Sequence, residues 1–202
     1  MGYSTILDII GSVIAGGVLM IILLNTNTNA VQNTYTYGGD IGVQGLLTVL
    51  ANVLDSDFRK IGYSSNGSIV VNSSNVIISA DTSSIKFLSD INNHGQVDTV
   101  YYYLGPTSEL SNTSNPIDRF LYRIAPDTGL TNVTHKYPDV VIFRFAYYDS
   151  SGNSISCPVA SPSKISKINI SLELQSPQAY NGVYVTTYWN STKRIAVNVM
   201  NR

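Results

Sequence analysis

Residues 9–24 read IIGSVIAGGVLMIILL, and residues 40–61 read DIGVQGLLTVLANVLDSDFRKI. The first run carries no charge, and Ile6 and Leu7 extend it past Asp8. A spanning helix needs about 20 apolar residues, with about 17 near the short limit, so residues 6–24 suffice only if Asp8 is tolerated. In the second run Ile41, Val43, Leu46, Leu47, Leu50, Val53, Leu54, Phe58 and Ile61 return at spacings of three and four. That period predicts an amphipathic helix about 33 Å long with one apolar stripe. Asp40 suits its start; Arg59, Lys60 and Gly62 suit its end. Gly38-Gly39, after the polar stretch 25–39, marks either a break or a kink in one longer helix.

No Lys or Arg occurs before Arg59, and the only acids in that stretch are Asp8, Asp40, Asp55 and Asp57. A cleaved secretory signal would also place an apolar core near the N-terminus. Here there is no cationic n-region, and NTNTNA at 25–30 offers no small-x-small cleavage site, so a retained anchor is the expectation. Asp8 has two readings. A carboxylate inside hydrocarbon is costly and by default functional; at headgroup level it is simply a helix-start residue. Flanking Lys or Arg do not set the orientation, because none is near.

Beyond Gly62 short β-type runs occupy 68–79, 84–88, 97–104, 119–124, 140–148, 165–174 and 183–188. Asn66-Gly67, His94-Gly95, Gly105-Pro106, Asn115-Pro116, Gly152-Asn153, Ser161-Pro162 and Asn181-Gly182 separate them. Ile168, Ile170, Leu172 and Leu174 alternate with polar residues, the pattern of a half-buried antiparallel strand. The expected class is α+β: a membrane anchor helix and polar connection over 1–39, an amphipathic helix over 40–62, and an antiparallel β head over 63–202 onto which the second helix packs.

Composition narrows the partners. With 202 residues, only 12% of them charged, and 12 Lys+Arg against 13 Asp+Glu, the chain lacks the cationic excess that phosphate neutralisation needs, so no nucleic-acid partner is expected. A single Cys, Cys157, excludes an intrachain disulfide.

This order of elements resembles type IV pilins and type II secretion pseudopilins. Gly2-Tyr3-Ser4-Thr5-Ile6-Leu7-Asp8 is similar to the family's start, although four residues separate the aromatic from the acid where the family has three. Residues 54–63, LDSDFRKIGY, resemble the "DxR-x-x-Gly-Tyr" segment of W-type minor pilins and J-type pseudopilins. The resemblance implies a structural subunit that initiates or caps a type IV pilus or a secretion pseudopilus, with its head exported from the cytoplasmic membrane. Its implied partners are other such subunits, met through the N-terminal helix, the inner-membrane assembly platform and lipid. It implies assembly roles for Gly2, Tyr3 and Asp8, the acid neutralising a neighbour's terminal amine. Gly11, Ala15, Gly16 and Gly17 would let helices approach closely; alternatively they merely suit one isolated membrane helix. A monomeric membrane-anchored binding protein or adhesin is the alternative reading.

Candidate chemistry is sparse. Asp90, Asn92 and Asp98 surround Gly95 in DINNHGQVD, with His94 where a calcium loop prefers Asp or Asn and Tyr101 where an EF-hand places Glu. A partial calcium loop and a polar hairpin both fit, and the hairpin fits better. Tyr101, Tyr102 and Tyr103 read as either a binding face or strand residues with alternate rings in the core; the strand reading is preferred. There is no nucleophile elbow, H-E-x-x-H, C-x-x-C or phosphate-cradling Gly loop, so catalysis and a cofactor are not expected. An enzyme would need His135, Cys157 and an acid brought together by the fold.

Overall fold

A computed structural model describes residues 2–66, 76–127, 131–179 and 182–195. The chain is α+β. One helix, α1 (Gly2–Arg59), runs 58 residues, about 87 Å at 1.5 Å per residue, and its C-terminal part packs on an antiparallel sheet. The strands are β1 (Ile77–Ala80), β2 (Ser84–Ser89), β3 (Asp98–Leu104), β4 (Arg119–Pro126), β5 (Asn132–Tyr148), β6 (Ser154–Ile155), β7 (Lys167–Gln175) and β8 (Thr186–Arg194). Their order is β1-β2-β3-β4-β5-β7-β8, a meander in which β6 pairs on the end of β5.

The helix differs from the sequence expectation in one respect: the polar stretch 25–39 is helical, not a connection. Nothing in it forbids a helix. No Pro interrupts residues 2–59, and Gly38 and Gly39 weaken a helix by only about 1 kcal/mol each relative to Ala. The Thr26, Thr28, Thr34 and Thr36 hydroxyls donate to carbonyls one turn back, which satisfies them locally without breaking the backbone ladder. Asp40 therefore starts no helix; it accepts a hydrogen bond from Gln44 at 2.7 Å along the exposed face.

The stripe is narrower than expected. Val43, Leu50, Leu54 and Phe58 are buried, whereas Ile41 is 72% exposed. Phe58 is the main knob: its ring lies 5.2 Å from Phe87, 5.7 Å from Tyr102 and 5.8 Å from Phe145, joining strands β2, β3 and β5 beneath one turn of helix. The helix ends where Gly62 takes φ +76°, and the Gly62 N–H donates to the Leu88 carbonyl at 2.9 Å, turning the chain onto β2.

On the sheet's inner face Ile85, Phe87, Val100, Tyr102, Leu121, Phe143, Phe145, Ile168, Ile170, Leu172 and Leu174 form one core with the helix stripe. Their alternation in β7 follows the sequence pattern. The expected strand at 68–79 is described only from Val76 onward, and its earlier residues lie outside the described chain. Strand β5 is longer than its apolar part suggests because 132–137 pair with β4 although they are largely exposed.

Candidate functional site

Residues 2–31 of α1 are exposed throughout, and among the described residues none covers the apolar segment. Ile6, Leu7, Ile9, Ile10, Val13 and Ile14 are each at least 50% exposed. By length and composition this apolar segment is long enough to cross a membrane. Asp8 is the only charge within it and lies beyond the first helical turn, so it does not serve as a helix-start residue. Gly11 and Ala15 are one turn apart on one side. A Cβ added at Gly11, Gly16 or Gly17 would meet no atom within 4 Å, so nothing among the described residues accounts for their smallness.

The other end of α1 is fixed by a polar cluster that sequence reading did not find. Asp57 is 4% exposed and Arg123, from β4, 7%. Arg123 Nε donates to Asp57 Oδ2 at 2.7 Å and Nη2 to Oδ1 at 3.2 Å; the fully buried Tyr102 hydroxyl donates to the same Oδ2 at 2.5 Å. Burial, with the Asp57 charge beside it, pushes the Tyr102 hydroxyl well above its ordinary value. Burial alone would lower the Arg123 pKa, but the hydrogen bonds and charge of Asp57 outweigh it and keep the guanidinium protonated. A second clasp joins the helix to the edge strand: Lys193 of β8 and Arg59 both bind Asp55, and the Lys193 bond, ahead of Arg59, holds that carboxyl below its ordinary value. Asp57 was legible only as the acid of the DxR-x-x-Gly-Tyr resemblance, and nothing in the sequence paired it with Arg123.

Between residues 31–39 of α1 and the segment joining β7 to β8 lies an uncharged cleft of about 800 Å3, lined by Val31, Tyr35, Pro177, Val183, Tyr184 and Val185 among others. Val31 follows the apolar run by seven residues, about 10 Å along the helix, so the cleft opens close to the end of that run.

The β2–β3 loop brings Asp90, His94 and Asp98 together, with ligating atoms all within 4.8 Å of one another. Asp90 organises the loop. Its Oδ2 accepts from the Ser65 N–H and Gly95 N–H at 3.0 Å and from the Ser65 hydroxyl, and its Oδ1 accepts from the His94 N–H at 3.0 Å. Burial opposes ionisation, yet these donors, the Ser65 hydroxyl first, hold the carboxyl down at about 2. Asn92 Oδ1 contacts the His94 ring nitrogen. For a calcium loop this leaves few free oxygens where six to eight are wanted.

Of the tyrosine run only Tyr102 faces the core. Tyr101 and Tyr103 lie on the outer face at 4.9 Å, and Tyr103 stacks on Tyr122 at 4.6 Å and 2°. Lys86 covers the Tyr101 ring at 4.8 Å and Lys136 the Tyr122 ring at 5.1 Å. The ladder thus spends its ring faces on itself and on two cations, and presents no open platform. His135 pairs with Asp127 at 3.0 Å, whereas Cys157 packs near Tyr147, about 40 Å further along β5 at 3.4 Å per residue, so these candidates do not meet.

No known family model matches this chain, and no curated protein sequence matches it either.

Proposed function

We propose that the protein is a membrane-anchored structural subunit of the minor pilin or pseudopilin type, with residues 6–24 as a permanent polymerisation handle. The observation that carries this reading is the helix itself. It is continuous over 58 residues, bare and apolar at one end and clasped to a β head at the other. A disposable export tag needs neither rigid continuity with the head nor Asp8 in an otherwise uncharged run. Bundled with copies or related subunits, the bare stretch would bury its apolar surface, Gly11 and Ala15 would permit close backbone approach, and Asp8 would find a cationic partner such as a terminal amine. Gly2 and Tyr3 would lie at that same contact. The uncharged cleft at the anchor's exit supports the same reading, since it offers a neighbouring helix an apolar seat. The head would stand outside the cytoplasmic membrane.

The test uses the Cys157→Ser background with single cysteines placed at Val13 or Val18, crosslinked in native membranes. Subunit-to-subunit adducts are expected through the helix, and Asp8→Ala should abolish them while the membrane level of the protein stays unchanged. Adducts that persist undiminished in Asp8→Ala, or a mature chain lacking residues 2–30, would sink the proposal; the first outcome favours a monomeric anchored binding protein.

A further inference from the structure

We infer that Asp90, His94 and Asp98 form a binding site for one divalent transition-metal ion of the zinc class. The site is built by the fold. Asp98 opens β3 and pairs across from Ser89, which sets it next to Asp90 at the end of β2. The Asp90 hydrogen bonds then wrap the loop so that His94 Nδ1 returns to 3.7 Å from Asp90 Oδ1. Asp98 Oδ2 is buried and, among the described residues, has no hydrogen-bond partner. Leaving a buried acceptor unsatisfied is costly, and more so when it is charged. Among the described residues no Lys or Arg pairs with either carboxylate; their one basic neighbour is His94. What the cluster lacks is a cation.

The donor set selects which cation. Asp90 Oδ2 already accepts three hydrogen bonds and Oδ1 one, so Asp90 offers the remaining lone pair of Oδ1, with Asp98 Oδ2 and one imidazole beside it. Two carboxylate oxygens and one imidazole are too few and too soft for calcium, but they match zinc with three protein ligands and a water in the fourth position. Zinc ligands at about 2.0–2.2 Å lie at most about 4.4 Å apart, so the cluster must contract slightly. His94, on the loop, is the member that moves, and its ring nitrogen would exchange the Asn92 Oδ1 contact for the metal. Metal would clamp the β2–β3 loop to the helix end, since Ser65 and Lys60 already bond to it.

The test is calorimetric titration of tag-free, full-length protein in detergent with zinc chloride, and separately with calcium chloride. Unaltered protein should bind one zinc ion and give no calcium signal. His94→Ala should weaken zinc binding by about tenfold or more, since even lost supporting groups of metal ligands cost 10–100-fold. Asp98→Asn should weaken it likewise, and His135→Ala should not. His94→Ala keeps the backbone N–H that bonds Asp90, so its metal-free melting temperature should stay close to that of the unaltered protein, which separates lost binding from lost folding. Zinc binding that survives His94→Ala, no zinc binding by the folded unaltered protein, or calcium binding indifferent to His94 would each overturn the assignment.

Discussion

Asp57 and Arg123, 66 residues apart in sequence, meet in the dry seam between α1 and β4 with two hydrogen bonds of 2.7 and 3.2 Å. Tyr102 completes the set by donating to the carboxylate and accepting from Arg123 Nε at 3.1 Å. From Arg123 the network continues outward to Asp127, at 3.7 Å, and to His135. In the proposed role this seam is one of the joints between helix and sheet, beside the packing of α1 on β8 and the Asp55–Lys193 clasp.

Removing one partner of such a pair leaves the other buried and uncompensated, at a cost of about 3–5 kcal/mol. Asp57→Ala and Arg123→Ala should each destabilise the head by that order. The double replacement Asp57→Leu with Arg123→Met should cost less than either single change, because it buries no lone charge. Denaturant unfolding of the full chain in detergent, followed by Trp189 fluorescence, measures all three. A double variant as unstable as the sum of the singles would show that the pair does not act as a unit.

The turn after the helix makes a separate demand. Gly62 sits at φ +76°, and a Cβ there would lie 3.2 Å from Val76 Cγ2. Gly62→Ala combines a left-handed backbone with that close approach and should cost about 1–2 kcal/mol. Gly45→Ala, in the helix with open space around it, should instead be neutral or stabilising. Comparing the two midpoints by thermal unfolding tests whether position rather than residue type decides.

The helix stripe and the strands could be read because burial imposes its period on the chain: Leu50, Leu54 and Phe58 on α1, and Ile168 to Leu174 on β7, are spaced by the geometry that hides them. The seam could not, since Asp57 and Arg123 are polar residues on apolar faces and only the fold brings them within reach. Helix continuity through 25–39 was hidden for another reason. Asn, Thr and Gly there read as a connection by propensity, yet each costs a helix about 1 kcal/mol or less and no Pro interrupts them. The Asp90 loop was legible as a cluster, but not the hydrogen bonds that commit most of the Asp90 carboxylate.

That commitment makes the loop acid-sensitive. With its folded value at about 2 against an ordinary 3.8, Asp90 favours folding fully above pH about 4. The contribution fades as pH falls toward about 2. Asp90→Asn should therefore be less stable than the unaltered protein at pH 6, and the gap should close between pH 4 and 2. Unfolding curves across that range check it. A gap that is constant with pH would mean the ionised carboxylate is not what the donors hold.

Asp139 runs the opposite way. It lies in β5 at φ +63°, within the β4 register irregularity between Tyr137 and Val140 and just before the β7 one between Val140 and Ile142. Burial first, and the Asp118 charge second, push its carboxyl up to about 6. Because the folded state prefers the neutral form, Asp139 opposes folding increasingly as pH rises from about 4 to about 6, and fully above that. Asn removes the charge and tolerates the left-handed backbone as well as Asp does. Asp139→Asn should therefore stabilise the protein at pH 7 by about 1–2 kcal/mol and have little effect near pH 4. The melting temperature measured at both pH values decides it. Equal stabilisation at both would assign the gain to the backbone rather than to the charge, and no gain at pH 7 would mean that Asp139 meets a cation when the protein is folded.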